Sequence, residues 1–133
     1  MKRLKFILFA LLTLGLNYPL SAQNTNIPIE IATAISQGSA SRLTPYLGTN
    51  VELAIESKND IYSKQQAVEI ISGFFRKNNV NDFQILHSGA KDTSSFAIGS
   101  LKTSTGTYRV YILTRKADGK SVIQQLRIEP LNE

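Results

Sequence analysis

Between Asp82 and Glu129 the chain alternates apolar and polar residues with period two, in the segments "DFQILHSG", "SSFAIGSLKT", "TYRVYILTR" and "SVIQQLRIE". That period sends successive side chains to opposite faces, as in strands with one buried face. The last three segments are joined by short polar loops, which antiparallel neighbours can span and parallel ones cannot. "STG" and "ADG" have the form of three-residue hairpin loops, each a type I turn closed by a glycine in the left-handed region. Gly106 and Gly119 are thereby expected to be turn residues.

Loops of that length predict a register. Thr103 faces Thr107, Ile98 faces Ile112, Gly99 faces Tyr111, Lys116 faces Lys120 and Val110 faces Leu126. One sheet face then carries Phe96, Ile98, Tyr108, Val110, Ile112, Val122, Leu126 and Ile128. The other carries Ala97, Gly99, Leu101, Arg109, Tyr111, Leu113, Ile123, Gln125 and Arg127. Gly99 reads as a bend in mid-strand, covered by the aromatic ring of Tyr111 across from it.

Ahead of the meander, Ile27, Ile31, Ala34 and Ile35 recur at helical spacing behind Pro28, with Gly38 as a stop. A second short helix, capped by Ser39 or Ser41, is limited by Pro45. "VELAIES" alternates as a strand from Val51 to Ser57. In "YSKQQAVEIISGFFRKNN" the pair Ser63 and Gln66 has the form of a capping box. Ala67, Ile70, Ile71, Phe74 and Phe75 line one face of the helix it opens, and the sheet face bearing Phe96 is expected to receive Phe74 and Phe75.

The first residues read as an address. Lys2, Arg3 and Lys5 precede the apolar stretch Phe6 to Leu16, and "YPLSAQ" follows. This is the form of a secretory signal peptide over 1–22, cleaved after Ala22, with a single domain over 23–133. The apolar stretch is too short for a lasting transmembrane anchor. There is no cysteine, so lipoprotein anchoring, disulfides and thiolate metal sites are excluded. The expected product is exported, periplasmic or secreted. Of the 15 basic residues three lie in the leader, leaving 12 against 10 acidic ones and a net charge of +2. Scattered and nearly balanced, these charges do not make a nucleic-acid surface.

The order helix, helix, strand, long capped helix, four strands resembles the cone-shaped α+β fold of the nuclear transport factor 2-like, or cystatin-like, superfamily. More narrowly, "YSKQQAVEIISGFF", "HSG", "FAIGSLKTSTGTYRVYIL" and "IQQLRIE" resemble a family of short exported bacterial proteins known as domain of unknown function 4783. The wider superfamily contains enzymes, binding modules and dimerisation domains, so the resemblance implies a fold and leaves the activity open.

An isomerase or cyclase of that superfamily needs an acid/base group inside the cone and a donor for an oxyanion. The predicted inner face has no carboxylate. His87, the single histidine, shares parity with Phe83 and Ile85 and so points inward if the strand is regular. No metal-ligand spacing, phosphate loop or nucleophile motif is present, and no cofactor or catalytic residue is assigned. The expectation is a non-catalytic binding domain. Tyr46, Phe74, His87 and Tyr108 are the candidate lining of a small apolar pocket. Arg109, Tyr111, Leu113, Ile123, Gln125 and Arg127 are the candidate interface, for a homodimer through the outer sheet. The alternatives are an acid/base enzyme with His87 as base and Tyr108 or Tyr46 as donor, and a purely structural dimerisation module whose cone is filled by its own side chains.

Overall fold

A computed structural model describes residues 25–131; the expected leader and its cleavage point lie outside the described residues. Helix α1 (Ile29–Ser36) follows Pro28 and buries Ile31, Ala34 and Ile35. Gly38 ends it at φ +61°, where its N–H reaches the Ile35 carbonyl at 3.0 Å, a left-handed stop that costs glycine little. Ser39 then caps the one-turn helix α2 (Ala40–Leu43), accepting the Arg42 N–H. Pro45 sits in the 3-10 turn Thr44–Tyr46 that leads into the sheet.

Strand β1 (Leu47–Ile55) turns back at once into β2 (Lys58–Ser63). Sequence reading does not anticipate β2. Of its residues only Tyr62 is partly buried, so it lacks apolar alternation and is held by its ladder to β1. Its turn has Glu56 at φ +54°, a conformation that the residue type does not advertise. Helix α3 (Lys64–Lys77) opens on the expected capping box, with Ser63 and Gln66 exchanging bonds of 3.3 Å between side chain and backbone. It buries Ala67, Ile71, Phe74 and Phe75.

The four strands of the meander are β3 (Val80–Lys91), β4 (Ser94–Thr103), β5 (Gly106–Ala117) and β6 (Lys120–Pro130). All six strands form one curved sheet in the order β2-β1-β6-β5-β4-β3. It is mixed, because β6 also lies parallel to β1, with Leu53 beside Leu126 and Ile55 beside Ile128. The helices cover its inner face. Ile31, Ile35, Leu43, Leu53, Ile71, Phe74, Leu101, Ile112, Ile123 and Leu126 meet there at 0–1% exposure.

The predicted register is corrected by one residue at both hairpins. Thr103 faces Gly106, so the first loop is the two residues Ser104 and Thr105, and Ile98 faces Tyr111. Ala117 faces Lys120; beyond an irregularity between Leu113 and Thr114 the shift grows to two, and Val110 faces Ile128 instead of Leu126. Asp118 and Gly119 form a two-residue turn with both φ positive, +54° and +76°, the twist a tight hairpin favours. A slip of one residue exchanges the faces of a whole strand. Ala97, Gly99 and Leu101 therefore point into the core, while Phe96 and Ile98 lie on the outer face. Gly99 is covered by Phe83 and not by Tyr111. A Cβ at Gly99 would lie 2.5 Å from the Phe83 ring and 2.8 Å from the Gln84 carbonyl oxygen.

Candidate functional site

The four residues expected to line a pocket do not meet around one. Phe74 is 1% exposed and is part of the packing. Tyr108 stands edge-on to it, with ring centres 5.1 Å apart. The Tyr108 hydroxyl donates to Asn78 Oδ1 at 3.1 Å, and the Thr105 hydroxyl donates to the same oxygen. Asn78, 4% exposed just past α3, gives its own amide N–H to the Phe74 carbonyl at 2.8 Å. Next to it, Asn79 accepts the Ser104 N–H at 2.9 Å. These bonds lock the end of α3 onto the β4–β5 turn and leave the Tyr108 hydroxyl engaged in structure. Among the described residues no buried side-chain nitrogen or oxygen lacks a partner.

Tyr46 is half-buried and borders a depression of about 470 Å³ with Glu30, Thr33, Ser41, Arg42 and Pro45. That hollow opens outward at the helical end. His87 is exposed, and its expected inward direction is corrected by a bulge. Ile85 faces Gly99 while His87 faces Ile98, leaving Leu86 unopposed. One extra residue reverses the parity of everything beyond it. His87 thus lies on the opposite face of the sheet from Phe74, out of reach as a buried base in the cone.

A second bulge corrects the candidate interface. Leu113 faces Gln125, but Thr114 faces Ile123, so Gln124 is the unopposed residue. Ile123 consequently turns inward to 0% exposure and belongs to the core; Val122 takes the outward position instead. Arg109, Tyr111, Leu113, Gln125 and Arg127 share the outer face.

Two cross-strand rows organise that face. One runs His87, Ile98, Tyr111, Arg127 and Ala54, the other Gly89, Phe96, Leu113, Gln125 and Glu52. Phe96 stacks on Tyr111 with ring centres 6.4 Å apart and planes 21° from parallel. It also lies over Gly89, where a Cβ would come within 2.6 Å of its ring. Ile98, Arg109, Tyr111, Gln125, Arg127 and Glu129 border a shallow depression of about 270 Å³. Gln125 donates to Glu52 at 2.9 Å, and Arg127 pairs with Glu129 at 3.3 Å. The result is a half-buried aromatic and aliphatic centre with arginine and glutamate around it. Sequence reading misses Phe96, Ile98 and His87 here; the two-residue Ser104-Thr105 loop turns Phe96 and Ile98 outward, and the bulge at Leu86 turns His87 outward.

Among the described residues no group of three or more His, Cys, Asp or Glu side chains is placed to hold a metal ion, and no helix is long and apolar enough to cross a membrane.

A curved sheet closed over one long helix, with short helices preceding it, defines the nuclear transport factor 2-like α+β class. An NTF2-like protein of unknown function from Shewanella baltica OS155 matches with TM-score 0.59 at 11% identity, covering 79% of this chain and 88% of that one, a likeness of fold alone. Within that class the chain belongs to the family described as Domain of unknown function (DUF4783), which matches residues 29–129. A family protein from Bacteroides ovatus ATCC 8483 is 36% identical, with TM-score 0.78 over 83% of this chain and 100% of that one. Another from Bacteroides fragilis YCH46 is 34% identical, with TM-score 0.75 over 79% and 99%. No curated protein matches.

Proposed function

We propose that the chain is an exported, non-catalytic interaction domain that works through the outer face of its sheet, with a second copy as the favoured partner. The observation carrying this reading is the division of apolar surface between the two faces. Large side chains fill the inner face at 0–1% exposure, whereas Phe96, Ile98, Tyr111 and Leu113 stay half-exposed on the outer one. Tyrosine and arginine around an aliphatic centre are the residue types of interface cores. Export rests on the basic and apolar leader, and the small-ligand and His87-base alternatives lose support because their residues stand apart.

The test is the oligomeric state of the chain from Gln23 onward, by sedimentation velocity over a dilution series. Tyr111→Glu places a carboxylate in the centre of the face and is expected to weaken association at least about thirtyfold, the effect of losing an interface anchor. Circular dichroism should stay unchanged. Association that survives Tyr111→Glu at full strength overturns the proposal.

A further inference from the structure

An open sheet has two edge strands, and an edge left bare invites a strand from another chain to pair with it. The longer edge here is β3, twelve residues with β4 as its one strand neighbour. The chain's own N-terminal segment meets it. The Asn26 amide donates to the Ser88 hydroxyl at 2.9 Å, across 62 positions of sequence, and both residues have further interactions besides this bond. We propose that Thr25–Ile27 is a strap that keeps β3 from accepting a strand of another chain.

Three local features build the strap. Asn26 stands at φ +62°, in the left-handed region that asparagine enters more readily than most residues. Ile27, next to it, is 6% exposed and belongs to the core with Ile31 and Ile35, which anchors the strap where it joins α1. The Thr25 hydroxyl donates to the Ile27 carbonyl at 3.1 Å and ties the two sides of the bend together. One end of the strap is thus held by burial and its middle by the bond to the sheet.

Its position gives it the guarding role. Ser88 lies opposite Ala97, which is 0% exposed, so its hydroxyl is on the helix-covered side of the sheet and Asn26 meets it from there. Thr25, together with Ala32 of α1 and Phe83, Gln84 and Ile85 of β3, borders a depression of about 340 Å³. A strand added along β3 would send every second side chain to this side, into the space that the strap and α1 hold. The other edge is managed differently. β2 is six residues long, and Asp60 Oδ1 accepts the Ile61 N–H at 2.7 Å, so a backbone donor is engaged by its own strand; short edges bearing charge resist addition. With both edges managed by the chain itself, self-association is directed to the face of the sheet.

The experiment removes the bond and keeps the bend. Asn26→Gly does this, since glycine holds a positive φ at no steric cost, and Asn26→Asp, which can accept from the Ser88 hydroxyl, is the conservative control. Hydrogen exchange of the chain from Gln23 onward is expected to rise on the order of tenfold over residues 80–91 in Asn26→Gly, the effect of losing one hydrogen bond. The amides of α3 should stay as they are, and Asn26→Asp should resemble the parent. A merely structural tie would end there, whereas a guard also governs pairing. In the Tyr111→Glu background, sedimentation velocity should show Asn26→Gly self-associating at least about tenfold more tightly than the unaltered strap, and Asn26→Asp not. Each result is a difference between strap variants on one background, so it is separable from a failure of the outer-face reading. Equal association with and without the Asn26 amide, unchanged exchange over 80–91, or exchange that rises equally in α3 overturns the proposal.

Discussion

The inner and outer faces of this sheet are made by the same strands, yet they differ in how completely their side chains are used. Inside, Leu101, Ile112 and Ile123 reach 0% exposure against Phe74 and Ile71. Outside, Phe96 stacks on Tyr111 and lies over Gly89 but stays partly exposed. Burial stabilises by about 25 cal/mol for each Å² of apolar surface removed from water, so the helix-covered face carries most of the stability. The open face can vary for other ends. Substitutions inside should change whether the chain folds, and substitutions outside should change what it meets.

Phe74→Ala should be the severest break. It removes a buried ring that touches Phe75 and Tyr108, a class of change that costs about 3–5 kcal/mol. Thermal denaturation should show a midpoint lowered by more than about 10 °C. Asn78→Leu follows at about 1–3 kcal/mol, because the Thr105 and Tyr108 hydroxyls lose their shared acceptor. Urea unfolding with an unchanged midpoint would remove the locking role given to Asn78.

Gly99→Ala sharpens the comparison from the inner side. The added methyl would press on the Phe83 ring and the Gln84 carbonyl, at about 1–3 kcal/mol of overpacking. In a Phe83→Ala background the cost should shrink without vanishing, since the carbonyl remains. A double-mutant cycle with no coupling would show that Phe83 does not set the need for glycine. At the far end, Tyr111→Glu should move stability by only about 0.5 kcal/mol, the range of surface changes, while weakening association at least about thirtyfold. A large loss of stability would place Tyr111 with the core and weaken the contrast between the faces.

The elements whose signals are local could be read from the chain. The capping box at Ser63, the stop at Gly38, the buried stripe of α3 and the number of strands after Asp82 each depend on a few neighbouring residues. What escaped depends on counting across space. His87, Ile123 and Phe96 each lie on the face opposite to the expected one, for one shared reason: a side chain's face is a parity, and one unopposed residue or one shorter loop inverts it. Leu86 and Gln124 bear no mark of their role as bulge residues. β2 escaped because its ladder to β1 needs no apolar pattern, and the parallel neighbouring of β1 and β6 has no local signature at all.

That last pairing also orders events in time. Among the described strands β6 comes last in sequence, yet it lies inside the sheet, between β1 and β5. Until it arrives, the chain holds two separate ribbons, β1–β2 and β3–β4–β5, with no ladder between them. Closure must wait for a contact spanning most of the domain, as between Leu47 and Ile123, and contacts that distant in sequence form slowly. A nascent chain of this design cannot join its two ribbons into one sheet before β6 has emerged.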